Sequence, residues 1–461
     1  MTIRHWLLFS FAFAACGDDS NHRAIVDGPP GSPDDAAIDA PPSQAGAVKV
    51  KLTDSTSNVA VYFQKADGTL ISKKLTDTNG EATETLDPGG TATVVRASVP
   101  PAAAPGGVFT NYSLFTWTGV KPGDVLLSAP PAGEGSGVGS ATMTLTIPTV
   151  TNGVTYLVEG ACGGEGQVVV MTTNAIVFAV ATQTVTFTDY CAKDDLMILV
   201  KDIDGNLISS TVVEDVTIAD MTTADLSAAT YTDAVGRTIE VDHNTASTIS
   251  GSTTVTSPKG QLFYNSYNLE LVDPATYTET IPTPPANGRV VVGLDQSVNF
   301  QERYFVTWGA AADVTVDWTA DVAPEFDVAP TFDTGTNTAS WTALAGGAAV
   351  DAYAFQEDAY RGTASYAFTW KAVGKGDGTY SVKLPTLPTD IADFSITTDD
   401  SIAFAGMASY PGGYDALRQV VGVDSTVPPA TATGKLSVTT YFGNRTVARS
   451  RTKLHNNARR H

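Results

Sequence analysis

Few residues in this chain have the types and spacing for reactive chemistry. The 461 residues hold three cysteines, Cys16, Cys162 and Cys191, and five histidines. Of the histidines only His243 lies away from the two ends; His5, His22, His455 and His461 do not. A zinc site built on two or more histidines needs them together in the fold, which this distribution disfavours. A Ser-His-Asp triad has to use His243. That residue stands in RTIEVDHNTAST, and the chain has no G-x-S-x-G nucleophile elbow. His243 therefore reads as a surface or strand-end histidine. No Walker A sequence and no H-E-x-x-H is present. Glycine-rich runs such as GGEG lack the flanking strand and helix of a phosphate site and read as loops.

Carboxylates are too many to be diagnostic. With 49 Asp and Glu, a chosen pair says nothing about glycosidase chemistry, because the two acids can come from any part of a fold. Asp202-Ile203-Asp204-Gly205-Asn206 and Asp77-Thr78-Asn79-Gly80-Glu81 are oxygen-rich, but neither has the ligand layout of a calcium loop. Both read as hairpin turns, where Asp and Asn tolerate left-handed backbone. Trp117, Trp308, Trp318, Trp341 and Trp370 lie in alternating runs and are expected to fill cores rather than form a sugar platform. Tyr360 is a candidate for exposure. The expectation is a non-enzymatic surface or periplasmic protein acting as a scaffold, adhesin or binding protein, with no catalytic residue, metal or cofactor. The alternative is a carbohydrate-binding or carbohydrate-active accessory protein.

The first twenty residues, MTIRHWLLFSFAFAACGDDS, have a positive start, a short apolar core and small residues ahead of Cys16, the layout of an export signal over 1–15. The apolar run is well short of the roughly 20 residues that span a bilayer. Phe13-Ala14-Ala15-Cys16 resembles the lipobox of bacterial, Gram-negative lipoproteins, with Phe13 in place of the usual Leu. The resemblance implies a lipidated Cys16. Several acyl chains, at about 0.8 kcal/mol per buried CH₂, hold firmly where one is marginal. Gly17 rather than Asp follows the cysteine, which in the same family implies an outer-membrane or cell-surface address. The alternative is an ordinary secretory signal with a chance cysteine.

If Cys16 carries lipid, Cys162 and Cys191 remain as a pair, and an oxidising compartment favours a disulfide between them. Closing a loop of roughly thirty residues adds about 3–4 kcal/mol on the chain-entropy model. Two separate buried thiols are the alternative. The net charge of −22 disfavours a nucleic-acid partner, since that affinity comes from neutralising phosphates with Lys and Arg. The expected partners are a membrane, through the lipid anchor, and a cell-surface protein or polysaccharide.

These groups must be positioned by β-structure. Residues 16–44 are rich in Pro, Asp, Gly and Ala and read as a disordered tether. Thereafter short alternating runs follow one another: VKVKLTD, NVAVYFQ, the Asp67-Gly68 turn, TLISKKL, and then TDTNGEATETLDPGGTATVV. The stretch 47–97 resembles carboxypeptidase-regulatory-like and Ig-like modules, which carry no catalytic residues and accompany a peptidase domain that nothing here matches. The strand pattern around PTFDTGTNTASWTAL and ASYAFTWKAVG resembles a fibronectin type III or Ig-like sandwich. The fold class is therefore expected to be all-β, with tandem Ig-like sandwiches. The divisions are 45–147, 148–249 (with the disulfide), a β-rich unit at 250–322, and 323–445. A basic tail, 446–461, follows; it reads as a frayed tail or as a contact for anionic lipid.

Overall fold

In a computed structural model of the chain, the described residues are 45–98, 110–128, 140–153, 155–161, 180–188, 191–243, 248–270, 272–298, 300–361, 366–420 and 433–443. The fold is all-β. Two short helical turns, Thr389–Phe394 and Gly413–Leu417, interrupt the strands, and among the described residues no helix is long and apolar enough to cross a membrane.

Among the described residues, twenty-eight strands fall into four groups of seven. The first unit has β1 (Gly46–Leu52), β2 (Ala60–Gln64), β3 (Leu70–Leu75), β4 (Glu81–Leu86), β5 (Gly90–Ser98), β6 (Thr110–Val120) and β7 (Val125–Ser128). The second has β8 (Ser140–Pro148), β9 (Thr155–Gly160), β10 (Val180–Thr188), β11 (Lys193–Lys201), β12 (Leu207–Thr217), β13 (Thr223–Asp225) and β14 (Thr232–Asp233). The third has β15 (Val235–Asp242), β16 (Ile249–Ser257), β17 (Gly260–Leu269), β18 (Ala275–Ile281), β19 (Arg289–Val298), β20 (Gln301–Gly309) and β21 (Val314–Asp317). The fourth has β22 (Phe326–Asp333), β23 (Thr338–Ala343), β24 (Ala352–Arg361), β25 (Tyr366–Lys375), β26 (Ser381–Lys383), β27 (Ser401–Ser409) and β28 (Gly434–Phe442).

The first three units share one wiring. In each, the opening strand is the middle of a three-stranded sheet: β4-β1-β7, β10-β8-β13 and β18-β15-β21. It runs antiparallel to one neighbour and parallel to the other. The facing sheets are β3-β2-β5-β6, β9-β11-β12 with β14 at its edge, and β17-β16-β19-β20. Alternation explains the packing. Val48, Val50 and Leu52 of β1 turn inward against Val61, Phe63, Val94 and Trp117 of the facing sheet, and all are buried. The fourth unit is wired differently, with β22-β23-β26 facing β28-β27-β24-β25.

The units do not form a linear string. The four-stranded sheet of the fourth unit lies between those of the third and first, and the three join into one twelve-stranded sheet. On one side β28 pairs antiparallel with β20, from Gln301 opposite Tyr441 to Trp308 opposite Gly434. On the other, β25 pairs parallel with β6, from Tyr366 opposite Thr110 to Val373 opposite Trp117. Both edges of the fourth unit are thereby satisfied, and both docking edges are the sixth strand of their unit. The strand at the corresponding edge of the second unit, β12, pairs there, among the described residues, with the two-residue β14. Its continuation carries Glu214 and Asp215, a register shift against β11, and Asp215 at a φ of 59°. Charge and irregularity blunt an edge against further pairing.

The seams are packed as cores. Tyr62 and Leu114 of the first unit belong to the hydrophobic cluster of the fourth, with Tyr353, Phe355, Phe368 and Trp370. Thr93 and Thr116 share a buried hydrogen bond of 2.8 Å, and Trp370 Nε1 donates to Thr116 Oγ1 at 3.0 Å. Gly434 is required where it stands: an added Cβ would lie 2.4 Å from Cζ2 of Trp308. Between the second and third units, Met197 and Leu199 pack with Val255, Leu262, Ile281 and Val290. Lys259 ties Asp195 at 2.8 Å and Asp215 at 2.5 Å across the same junction.

These pairings move the boundaries expected from sequence. SATMTLTIP, expected to close the first unit, is β8 and opens the second. RTIEVDH, expected in the second, lies in β15 and its exit and opens the third. Alternation shows that a run is a strand; it does not show which sheet the strand enters. MTTADLSAAT contains β13 and turns.

Candidate functional site

The chemistry-bearing residues singled out from sequence do not converge. Cys16 and Cys162 lie outside the described residues, as do the signal segment, the tether and the basic tail. Cys191 precedes β11, is half-buried and is not free. His243 is exposed, with Nδ1 3.2 Å from Asp317 Oδ1 and a φ of 61°. The two oxygen-rich stretches spend their carboxylates on their own turns. Asp202 Oδ1 accepts from the backbone N–H of Asp204 and Asn206, and Asp77 Oδ1 from those of Asn79 and Glu81. These bonds hold both carboxyls below the usual carboxylate range. The turn geometry explains the composition: Gly80 has a φ of 72°, and a Cβ there would lie 2.7 Å from the Ser55 backbone. The five tryptophans named above are buried, and Tyr360 is 65% exposed.

The arrangement with the most binding potential was not visible in any one motif. It is a strip across one face of the twelve-stranded sheet, on the side opposite the fourth unit's core. Strand register places Tyr304 of β20 beside Val438 of β28 and Val438 beside Ala408 of β27; two residues along β27 on the same face, Gly406 stands beside Ala354 of β24. Lys371 of β25 and Phe115 of β6 follow, one register step along. Adjacent strands are about 4.8 Å apart, so the strip is roughly 24 Å long. Tyr304, Val438, Ala354 and Phe115 are half-buried against the hydrophobic cluster beneath. Phe404 stands next to Gly406 in the same sheet, also half-buried. The Lys371 ammonium lies 5.9 Å from the Phe115 ring centre and 5.4 Å from that of Phe404, close enough for cation–π attraction. Small residues keep the middle low. A Cβ on Gly293 would meet the Tyr304 hydroxyl at 3.1 Å, so Tyr304 lies across that glycine.

At the third-unit end of the strip, Asp295 stands opposite Tyr304, with Glu302 two residues along β20 on the same face. Burial, then a hydrogen bond with Glu302 and its charge, push the Asp295 carboxyl up to about 7. The chemistry such a pair of carboxyls offers is to donate and accept hydrogen bonds. Beyond it the face turns polar, with Ser250, Ser252 and Thr254 of β16, the ordinary outer surface of an antiparallel sheet. The apolar stretch is confined to where the units join.

Comparison with known proteins gives little beyond the fold. No family model and no curated protein matches the chain. A solved structure titled the Bacillus anthracis TIE protein is 11% identical, covering 59% of this chain and 50% of its own, with a TM-score of 0.13. A putative adhesin from Bacteroides ovatus is 12% identical over 55% of this chain and 78% of its own, with a TM-score of 0.10. A tetra-tandem repeat from the extending region of a large adhesion protein is 11% identical over 80% and 95%, with a TM-score of 0.12. The chain spans half the length of the first of these.

Proposed function

We propose that this is a non-enzymatic, lipid-anchored cell-surface protein of adhesin type, and that the strip from Tyr304 to Phe115 is its contact surface for a polysaccharide. The observation that carries the reading is the strip itself. It is a half-buried aromatic and small-residue band, flanked by Lys371 and Gln356 and by the Asp295–Glu302 pair, on a face that is otherwise Ser- and Thr-rich. Sugars present an apolar ring face and a hydroxyl rim. A flat band with rings and a few hydrogen-bonding groups complements both. The strand order of the fourth unit, three strands facing four, supports the fibronectin type III or Ig-like reading of that segment.

Binding of the purified protein to immobilised bacterial and host polysaccharides tests this. Tyr304→Ala and Phe404→Ala are each expected to weaken binding about tenfold, equivalent to 1.4 kcal/mol, within the range of an aromatic contact. Tyr360→Ala, away from the strip, leaves it unchanged. Binding to a surface protein but to no polysaccharide, or equal affinity in all variants, rejects the polysaccharide assignment.

The cysteine assignments belong to the same reading. Gly160 is paired with Leu196, and the Ala161 N–H donates to the Asp195 carbonyl at 3.0 Å. The chain entering Cys162 is thus held beside the start of β11, close behind Cys191, which supports joining the two. Palmitate is expected to label the wild type and not Cys16→Ala. Alkylation of the non-reduced mature protein is expected to modify no thiol. Equal labelling refutes the anchor, and two modified thiols refute the disulfide.

A further inference from the structure

Phe300 stands where its residue type is least favoured. It sits in the turn between β19 and β20 at a φ of 65°, and 72% of its surface is exposed. A bulky side chain in left-handed backbone is strained, and a glycine there would remove the strain. An exposed ring gains nothing from burial in the core. A strained and exposed aromatic points to a use for the ring outside the fold. Val272, in the turn after β17, is 51% exposed. β17 and β20 are three strands apart in the sheet, roughly 14 Å.

Register fixes what else lies at this end of the twelve-stranded sheet. Gln301, just after Phe300, is paired with Tyr441 near the end of β28, and the Phe300 carbonyl accepts from the Phe442 N–H at 2.9 Å. The Gly443 N–H donates to the Ala403 carbonyl at 3.2 Å, and a Cβ on Gly443 would lie 1.9 Å from the Ile402 carbonyl oxygen. The chain beyond Gly443 therefore leaves the sheet at the Phe300 turn. Residues 444–461 lie outside the described residues; their sequence holds six of the chain's 27 Lys and Arg and none of its 49 acids. The charged groups on the turns and strand ends nearby are Glu302, Asp273, which accepts from the His243 N–H, and Asp317 beside the His243 ring. β1 begins at the opposite end. Gly46 lies against Pro122, beyond the end of β6, whereas β6 starts beside Tyr366 at the Phe300 end.

We propose that this end of the sheet is a contact for an anionic lipid bilayer: Phe300 and Val272 enter the headgroup boundary, and the cations of 444–461 meet the lipid phosphates. The chemistry has two parts. Aromatic rings settle at the membrane–water boundary, and binding there grows with the apolar area buried and with attraction to anionic lipid. Basic residues gain from the negative surface potential within a Debye length of the bilayer. Neither part suffices alone. Two side chains are a small apolar area, and the rest of the chain, which carries all 49 acids, is repelled by the same surface. A soluble polyanion would engage the cations but offers no apolar layer for the ring, so the ring is what selects a bilayer. The contact is separate from any lipid on Cys16, because the segment that follows Cys16 joins β1 at the other end.

Co-sedimentation with lipid vesicles tests this, using residues 16–461 with Cys16→Ala so that neither an export signal nor an acyl chain contributes. The vesicles hold no glycolipid, so the outcome does not depend on the polysaccharide reading. The protein is expected to bind phosphatidylcholine vesicles that contain phosphatidylglycerol, to ignore phosphatidylcholine alone, and to be released as salt rises. Phe300→Gly relieves the left-handed strain and keeps the fold, which urea unfolding checks, yet it binds about tenfold more weakly. Phe300→Trp restores binding. A variant ending at Gly443 loses the preference for phosphatidylglycerol. Equal binding to both kinds of vesicle, or to neither, overturns the proposal. Unchanged binding in Phe300→Gly overturns it too, since the basic segment would then act alone, as it would on any polyanion.

Discussion

Arg418→Ala is expected to destabilise the protein by about 3–5 kcal/mol, the loss typical of removing one partner from a buried ion pair. Arg418 follows the short helix of the fourth unit, and Asp124 sits in the turn between β6 and β7 of the first. Their side chains are 3% and 6% exposed, with Arg418 Nε 2.7 Å from Asp124 Oδ2 and Nη2 2.8 Å from Oδ1. The two-pronged geometry makes the pair specific as well as strong. The same helix gives Tyr414, whose hydroxyl donates to the Thr118 carbonyl at 2.6 Å, and Lys121 pairs with Asp415 at 2.5 Å. Without Arg418 the Asp124 carboxylate keeps only its bond from the Lys121 N–H. Urea denaturation of Arg418→Ala and Asp124→Asn measures the loss. A change below about 1 kcal/mol, the scale of an exposed pair, would show that water enters the seam. Lys73→Ala is the internal contrast. Its bridge to Asp390 is nearly half-exposed at both ends, and its removal costs at most about 1 kcal/mol.

That seam was illegible in the sequence, for a definite reason. Asp67-Gly68 and Asp204-Gly205 announce their hairpins because the signal is local: glycine accepts the positive φ, here 87° and 83°. The tryptophans announce a core because alternation fixes which face they take. Nothing local distinguishes Tyr366–Lys375 as a strand that will pair with Thr110–Val120, more than two hundred residues earlier. An edge reads the same whether solvent or another unit lies beyond it. The contrast with β12 shows what can be read: Glu214 and Asp215 on this strand mark an edge that stays unfused, while the interiors of β6 and β20 meet their neighbours with Phe115, Trp117, Phe305 and Trp308. The strip depends on the same long-range pairing. Tyr304, Gly406, Lys371 and Phe115 come from three units, so their nearness exists only once the sheet is assembled.

The second large effect lies inside the third unit, where a complete polar network stands in an apolar core. Glu279 of β18 and Arg237 of β15 are 2% and 1% exposed at their side chains. Glu279 Oε1 accepts from Arg237 Nε at 2.8 Å, from Arg237 Nη2 at 2.6 Å and from Thr253 Oγ1 at 2.6 Å, while Oε2 accepts from Asn265 at 2.9 Å. The stacked rings of Tyr267 and Tyr277, 4.1 Å apart, lie beside it, and Asn265 also donates to the Tyr277 hydroxyl. Glu279→Ala leaves a guanidinium buried without its counter-charge and costs about 3–5 kcal/mol. Burying a charge is the expensive part, so the network's worth is smaller than that loss. Replacing both partners with apolar residues of similar size, Arg237→Met with Glu279→Leu, is expected to recover most of the stability, and Arg237→Met alone to lose about as much as Glu279→Ala. Thermal and urea unfolding of the wild type, Arg237→Met, Glu279→Leu and the double variant forms a complete cycle. A double variant as unstable as the sum of the two singles would mean that the pair contributes stability well beyond compensating its own burial, and that Thr253 and Asn265 depend on it for their conformation. Recovery would identify the network as a determinant of register. It joins β15 to β18 and both to β16 and β17, at the end of the sandwich where the third unit meets the second.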